Sequence, residues 1–255
     1  MNLNTTYIDA FIHGTLEETD IQTIAQVYQT PDPKRKDVVV ELKKQLQTIV
    51  DQFPVFNPTL WHALFADQID CLNRITILPI VGETASYSRM AKEDDQYYLI
   101  LDLHLVANFT QIISQMVYIL QNHIMSEVTK IMIQERYPSK PTNFQEWLDS
   151  MTFIHGLANW LSWNEDCKQY KFYTYAYEAH KEQAFGFLAQ AYDVDNKAIQ
   201  QQIMKTILKS DFWKQYPSVA GMFFFDDVYH ELKEQGIVYL YQRGPASFIK
   251  TIFEA

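Results

Sequence analysis

Ile124-Met125-Ser126-Glu127-Val128-Thr129-Lys130-Ile131-Met132-Ile133 lies inside a long, mostly apolar run, residues 111–134, whose spacing predicts a single helix. With His123 just before it, the stretch carries His123, Ser126, Glu127 and Lys130 at i, i+3, i+4 and i+7. A helix places all four on one face. That face is polar in a helix that otherwise favours burial, and it organises the reading of the whole chain.

Upstream, residues 37–53 carry Val38, Val39, Leu42, Leu46, Ile49 and Val50 at helical spacing, and residues 58–72 repeat the pattern with Leu60, Leu64 and Ile69. Arg74-Ile75-Thr76-Ile77-Leu78-Pro79-Ile80-Val81 and Gln96-Tyr97-Tyr98-Leu99-Ile100-Leu101-Asp102-Leu103 read as strands, and the polar segment 82–95 reads as a long hairpin loop between them. Downstream the chain reads as helical over 143–162, 172–192, 195–209 and 219–235. Gly236 is expected to stop the last of these, and a short terminal helix to follow over 246–253.

The expected fold is therefore α+β and predominantly helical, with a small N-terminal sheet packed on helices and a helical C-terminal half. Residues 1–108 form the first part and 109–255 the second, in a single compact unit without a Gly/Ser linker or internal repeat.

Composition narrows the function. The 255 residues are 47% hydrophobic and 20% charged, enough for a large core. A net charge of -10 excludes a nucleic-acid surface, which needs a basic stripe to displace counterions. Pro33-Lys34-Arg35-Lys36, the basic cluster of the chain, reads as a solvated helix start. No apolar run approaches the roughly 20 residues that span a bilayer. With no signal-peptide pattern in the first residues, a cytoplasmic location without membrane contact is expected. Cys71 and Cys167 have no nearby cysteine and read as buried free thiols. Glycine-rich phosphate loops and a G-x-S-x-G elbow are absent from the sequence, so nucleotide and serine-hydrolase chemistry have no support.

A second segment extends the reading of the long helix. Phe153-Ile154-His155-Gly156-Leu157-Ala158-Asn159-Trp160-Leu161-Ser162 resembles the E-G-L-A-x-[YW]-L-S helix of bacterial gluzincin-type metallopeptidases, with His155 where the third zinc ligand, a glutamate, stands. Ser126-Glu127-Val128-Thr129-Lys130 resembles their H-E-x-x-H helix, with Ser126 and Lys130 at the two imidazole positions and Glu127 at the catalytic glutamate. The order of two strands, first helix and second helix also agrees, and Glu127 and His155 lie about thirty residues apart, within the range of such sites. The resemblance covers residues 74–255.

It implies a zincin-like fold with a degenerate site: Glu127 in the catalytic position, and Ser126, Lys130, His155 and Gly156 in the cleft. Serine is a poor zinc ligand and a lysine ammonium repels the cation, so no cofactor is expected. The reading is a catalytically inactive metallopeptidase homologue, a pseudoenzyme that binds or regulates, with a peptide or protein as partner. The sequence leaves its oligomeric state open. In the alternative, the helix is used one turn earlier: His123, Glu127 and His155 hold Zn²⁺ for a non-standard metal-dependent hydrolase. Blander roles exist for each residue. His123 can be a partly buried histidine satisfied by a neighbouring helix, and Gly156 can serve close helix packing.

Overall fold

The computed structural model describes residues 1–17, 19, 27–83, 87–138 and 140–254. Within these the chain is α+β and predominantly helical, with one four-stranded sheet. It divides into two compact units, Met1–Pro58 with Ala66–Val128, and Thr59–Phe65 with Thr129–Ala255.

In the first unit the sheet is ordered β1-β2-β4-β3, where β1 is Asn2–Leu3, β2 Ile75–Ile80, β3 Ser88–Glu93 and β4 Gln96–Asp102. β2 pairs in parallel with both β1 and β4. Strands in the middle of a parallel arrangement are covered on both faces, which is why β2 and β4 read as continuous apolar runs. Helix α1 (Thr6–His13) and helix α2 (Lys36–Asp51) belong to this unit, α2 burying Val39, Leu42, Leu46 and Ile49 along one stripe. The basic run forms a short 3₁₀ turn, Pro33–Arg35, capped by Asp32, whose side chain accepts the Lys34 N–H.

The segment 82–95, expected as a loop, instead contains β3, which pairs antiparallel with β4 through the two-residue turn Asp94-Asp95. Thr84 to Ser86 of that segment lie outside the described residues. Strand β3 escapes a pattern-based reading because Ser-Arg-Met-Ala-Lys-Glu lies half exposed at a sheet edge and lacks the apolar alternation that marks a covered strand. The helix expected over 58–72 is also shorter: α3 runs Pro58–Phe65 and the chain tightens into a 3₁₀ stretch, Ala66–Arg74. There Cys71 is buried while Ile69 is exposed, so the apolar stripe that seemed to continue does not reach a core.

Asp102 closes β4 and starts α4 (Leu103–Phe109), its carboxylate accepting the Leu105 N–H at 2.6 Å and the Glu83 N–H at 2.6 Å. Burial outweighs these donors and pushes its carboxyl up to about 7. The long helix predicted from the opening stretch is α5, Ile113–Arg136, and the division between the units falls within it, after Val128.

The second unit contains most of α3, the last two turns of α5 and every later helix. Helix α6 (Phe144–Ser150) begins with reciprocal capping, Asn143 accepting the Glu146 N–H while the Glu146 carboxylate receives the Asn143 amide and the Thr142 N–H. A π-turn, Met151–His155, links it to α7 (Gly156–Ser162), so the helix expected over 143–162 is present with one irregular turn inside. Helices α8 (Tyr175–Tyr192) and α9 (Lys197–Lys209) follow.

Helix α10, Tyr216–Arg243, consists of two helical stretches that meet at a kink, the second of which passes the expected stop at Gly236. The irregularity lies at Lys233, at φ 54° and ψ -151°, and the terminating residue is Gly244, at φ 74°. Gly236 serves packing instead: a β-carbon there would fall 2.6 Å from the Leu232 Cβ. The terminal helix α11 is Phe248–Glu254, two residues later at its start than expected. Phe153, Phe225 and Phe248 meet edge to face and stacked in the core of this unit. Cys71 and Cys167 are buried, and neither forms a disulfide. Among the described residues no helix is long and apolar enough to cross a membrane.

Candidate functional site

On α5, Ile124, Met125 and Val128 are buried and dictate how the helix is rotated within the first unit. Ser126 is buried with them, whereas His123 and Glu127 are half-buried. His123 Nδ1 lies 3.0 Å from the Ser88 hydroxyl at the start of β3. Its ring stacks on Tyr87, with centroids 5.8 Å apart and 24° between the planes. The histidine is half-buried and has a partner, but that partner is on the sheet's edge strand and not on a neighbouring helix as expected. Glu83, whose backbone is held by Asp102, reaches Arg89 of the same strand at 3.7 Å.

Strand β3 is the edge strand of the described sheet. Asp102 donates its N–H to the Tyr87 carbonyl, which makes Tyr87 and Asp102 a hydrogen-bonded pair and fixes the phase of the ladder. In antiparallel pairing the hydrogen-bonded positions alternate. Arg89, Ala91 and Glu93 thus turn their backbone groups toward β4, and Ser88, Met90 and Lys92 turn theirs away from it. Among the described residues no strand pairs with that outer side.

In the second unit Lys130 is half-buried on α5, and its charge acts on His155. The His155 imidazole is pushed down to about 3, chiefly by burial and further by the Lys130 ammonium, so it is neutral at physiological pH. It closes the π-turn, an irregularity that often accompanies functional positions. Gly156 follows because nothing larger fits: a β-carbon would lie 2.6 Å from Gly221 Cα on α10. The reading of Gly156 as a packing glycine is the one the structure supports.

The structure thus brings His123, Ser126 and Glu127 into one unit and Lys130, His155 and Gly156 into the other. Among the described residues no three His, Cys, Asp or Glu side chains are gathered as a metal ion requires.

Sequence reasoning passed over another buried polar group. Asp226 accepts the Trp160 indole N–H at 3.1 Å and faces His230 Nε2 at 3.4 Å, and its burial raises the carboxyl pKa. Its signal was a carboxylate interrupting the run Phe223-Phe224-Phe225-Asp226, which reads as helix surface unless a partner is known. Comparison with protein-family models, with curated proteins and with solved structures found no match.

Proposed function

We propose that the protein binds and regulates and does not cleave: a zincin-like arrangement without the peptidase chemistry, receiving an extended peptide along β3. The observation that carries this reading is the outer side of that strand, with which no strand pairs among the described residues. Ser88 and Met90 turn their N–H and C=O groups away from β4, the kind of groups that an added strand pairs with. An unpaired edge is an aggregation liability unless it is short or charged, and β3, six residues with Arg89 and Lys92, is both. Ser88 also ties the strand to His123, which steadies the edge beside α5.

The changed residue types support the loss of hydrolysis. Ser126 and Lys130 stand where the resemblance calls for imidazoles, and His155 where it calls for a carboxylate. A half-buried ammonium opposes a divalent cation, and Glu127 without a metal has no bound water to activate.

The test is peptide selection against the whole protein, followed by affinity measurement on Met90→Pro. Proline removes an outward N–H and leaves the β4 ladder intact, a position proline tolerates in edge strands. A selected peptide is expected to lose at least tenfold in affinity, with an unchanged circular dichroism spectrum. Equal binding by the variant, or no peptide selected at all, overturns the proposal. Elemental analysis after incubation with Zn²⁺ checks the rest: stoichiometric metal that disappears in His155→Ala would restore the hydrolase reading.

A further inference from the structure

A cleft of about 450 Å³ opens in the second unit, away from every residue discussed as a site. Its volume falls in the range of small-molecule sites. Tyr137, Pro141, Tyr192 and Pro245 give it flat apolar walls, and Lys140 and Arg243 add two cations.

The walls are built and held. Tyr137 donates its hydroxyl to the Tyr241 carbonyl, and its ring lies so close to Gly244 that a β-carbon there would meet it at 2.5 Å. Gly244 is also at positive φ, so two independent constraints require glycine at this point. Asp149 reaches across to accept the Ile249 N–H at 2.8 Å, which ties α6 to the start of α11.

The charges in the cleft are used unequally. Glu146 spends its oxygens on Thr142 and Asn143, and Asp149 spends one on Ile249 while burial raises its pKa. Both carboxylates serve the fold. Among the described residues, neither Lys140 nor Arg243 has a carboxylate within ion-pair distance; Arg243 lies 5.9 Å from the Tyr239 ring centre. In a chain of net charge -10, two cations that line one cleft without a carboxylate at ion-pair distance among the described residues favour an anion there.

We infer that this cleft binds a small organic anion with a planar body, an aromatic carboxylate by chemical class. The ring lies between the tyrosine and proline walls, and the carboxylate meets Arg243, whose fork suits two-point recognition, with Lys140 beside it.

Titration of the full-length protein with benzoate, benzamide and inorganic phosphate, followed by NMR shifts of backbone amides, tests this. Benzoate is expected to saturate and to move the amides of Lys140, Ser247 and neighbouring residues, with benzamide and phosphate each at least tenfold weaker. Lys140→Gln with Arg243→Gln is expected to cost benzoate at least tenfold; both residues are exposed, and an unchanged thermal midpoint confirms the fold. Benzamide matching benzoate overturns the role of charge, and phosphate matching benzoate overturns the planar body. Absence of saturation up to about 10 mM overturns the site.

Discussion

Gly156 and Gly221 meet backbone to backbone, where α7 crosses α10. A β-carbon on Gly221 would fall 1.9 Å from the Thr152 carbonyl oxygen, and one on Gly156 would fall 2.6 Å from Gly221 Cα. The obstructing atoms are main chain, which cannot rotate away. Gly221→Ala is therefore expected to destabilise the protein by about 3 kcal/mol or more, at the upper end for overpacking, and Gly156→Ala by less. Urea unfolding of the two variants gives the order. Equal stability of Gly221→Ala and the parent would show that the helices do not approach this closely.

Lys130 and His155 predict a pH effect with a definite sign. The folded imidazole is held near 3, below its ordinary value of 6.5, so the unfolded chain takes up a proton that the folded chain refuses. Stability from this group is fully present above 6.5 and is lost as pH falls toward 3. Replacing Lys130 by Met removes the like charge and is expected to raise the His155 pKa. NMR titration of the imidazole in both proteins checks the direction, and an unchanged midpoint would remove Lys130 from the account.

Asp102 acts in the opposite sense. Its carboxyl is raised to about 7 from 3.8, so its contribution is present below the unfolded value and is lost as pH rises through the folded one. Asp102→Asn is expected to flatten the stability profile between these limits. It is also expected to lower stability by about 1 to 2 kcal/mol, because an amide has one acceptor oxygen where the carboxylate serves both Leu105 and Glu83. Thermal midpoints measured across pH for the two proteins decide it.

Lys233 sits at φ 54° and ψ -151°, a region open to glycine and strained for other residues. Its ammonium donates to the His230 carbonyl at 3.0 Å, a weak return at an exposed site. Lys233→Gly is expected to stabilise the protein by about 1 kcal/mol. A lower midpoint in denaturant would mean that the side-chain contacts outweigh the backbone strain.

Asp226 and Trp160 form a buried pair with a directional cost. Asp226→Ala strands the indole N–H away from water and is expected to cost about 1 to 3 kcal/mol, while Trp160→Phe with Asp226→Ala together is expected to recover part of it. A double-mutant cycle in urea measures the coupling. Additive losses would show that the hydrogen bond contributes nothing.

Local pattern was enough for what depends on local pattern. The stripes of α2 and α5 and the apolar runs of β2 and β4 are legible because each element buries one face, or both, over its whole length. The polar stripe from His123 to Lys130 was likewise visible in the order of residues, whereas Gly156 was assigned to a cleft and its close approach to Gly221 came from the structure. Strand β3 was not, because an edge strand draws its identity from a neighbour thirteen or fewer residues away in a ladder and shows no burial pattern of its own. Gly236 misled for a related reason: a glycine at a helix end and a glycine under a crowding Leu232 look alike in sequence.

What the chain determined by itself was its α+β, predominantly helical class, the apolar stripes of its long helices and the polar stripe from His123 to Lys130. Tertiary structure alone decided which groups share an environment: that His123 meets Ser88, that burial beside Lys130 keeps His155 neutral, and that Lys140 and Arg243 line one cleft. Burial and proximity set pKa values and binding chemistry, and both arise from residues far apart in the chain.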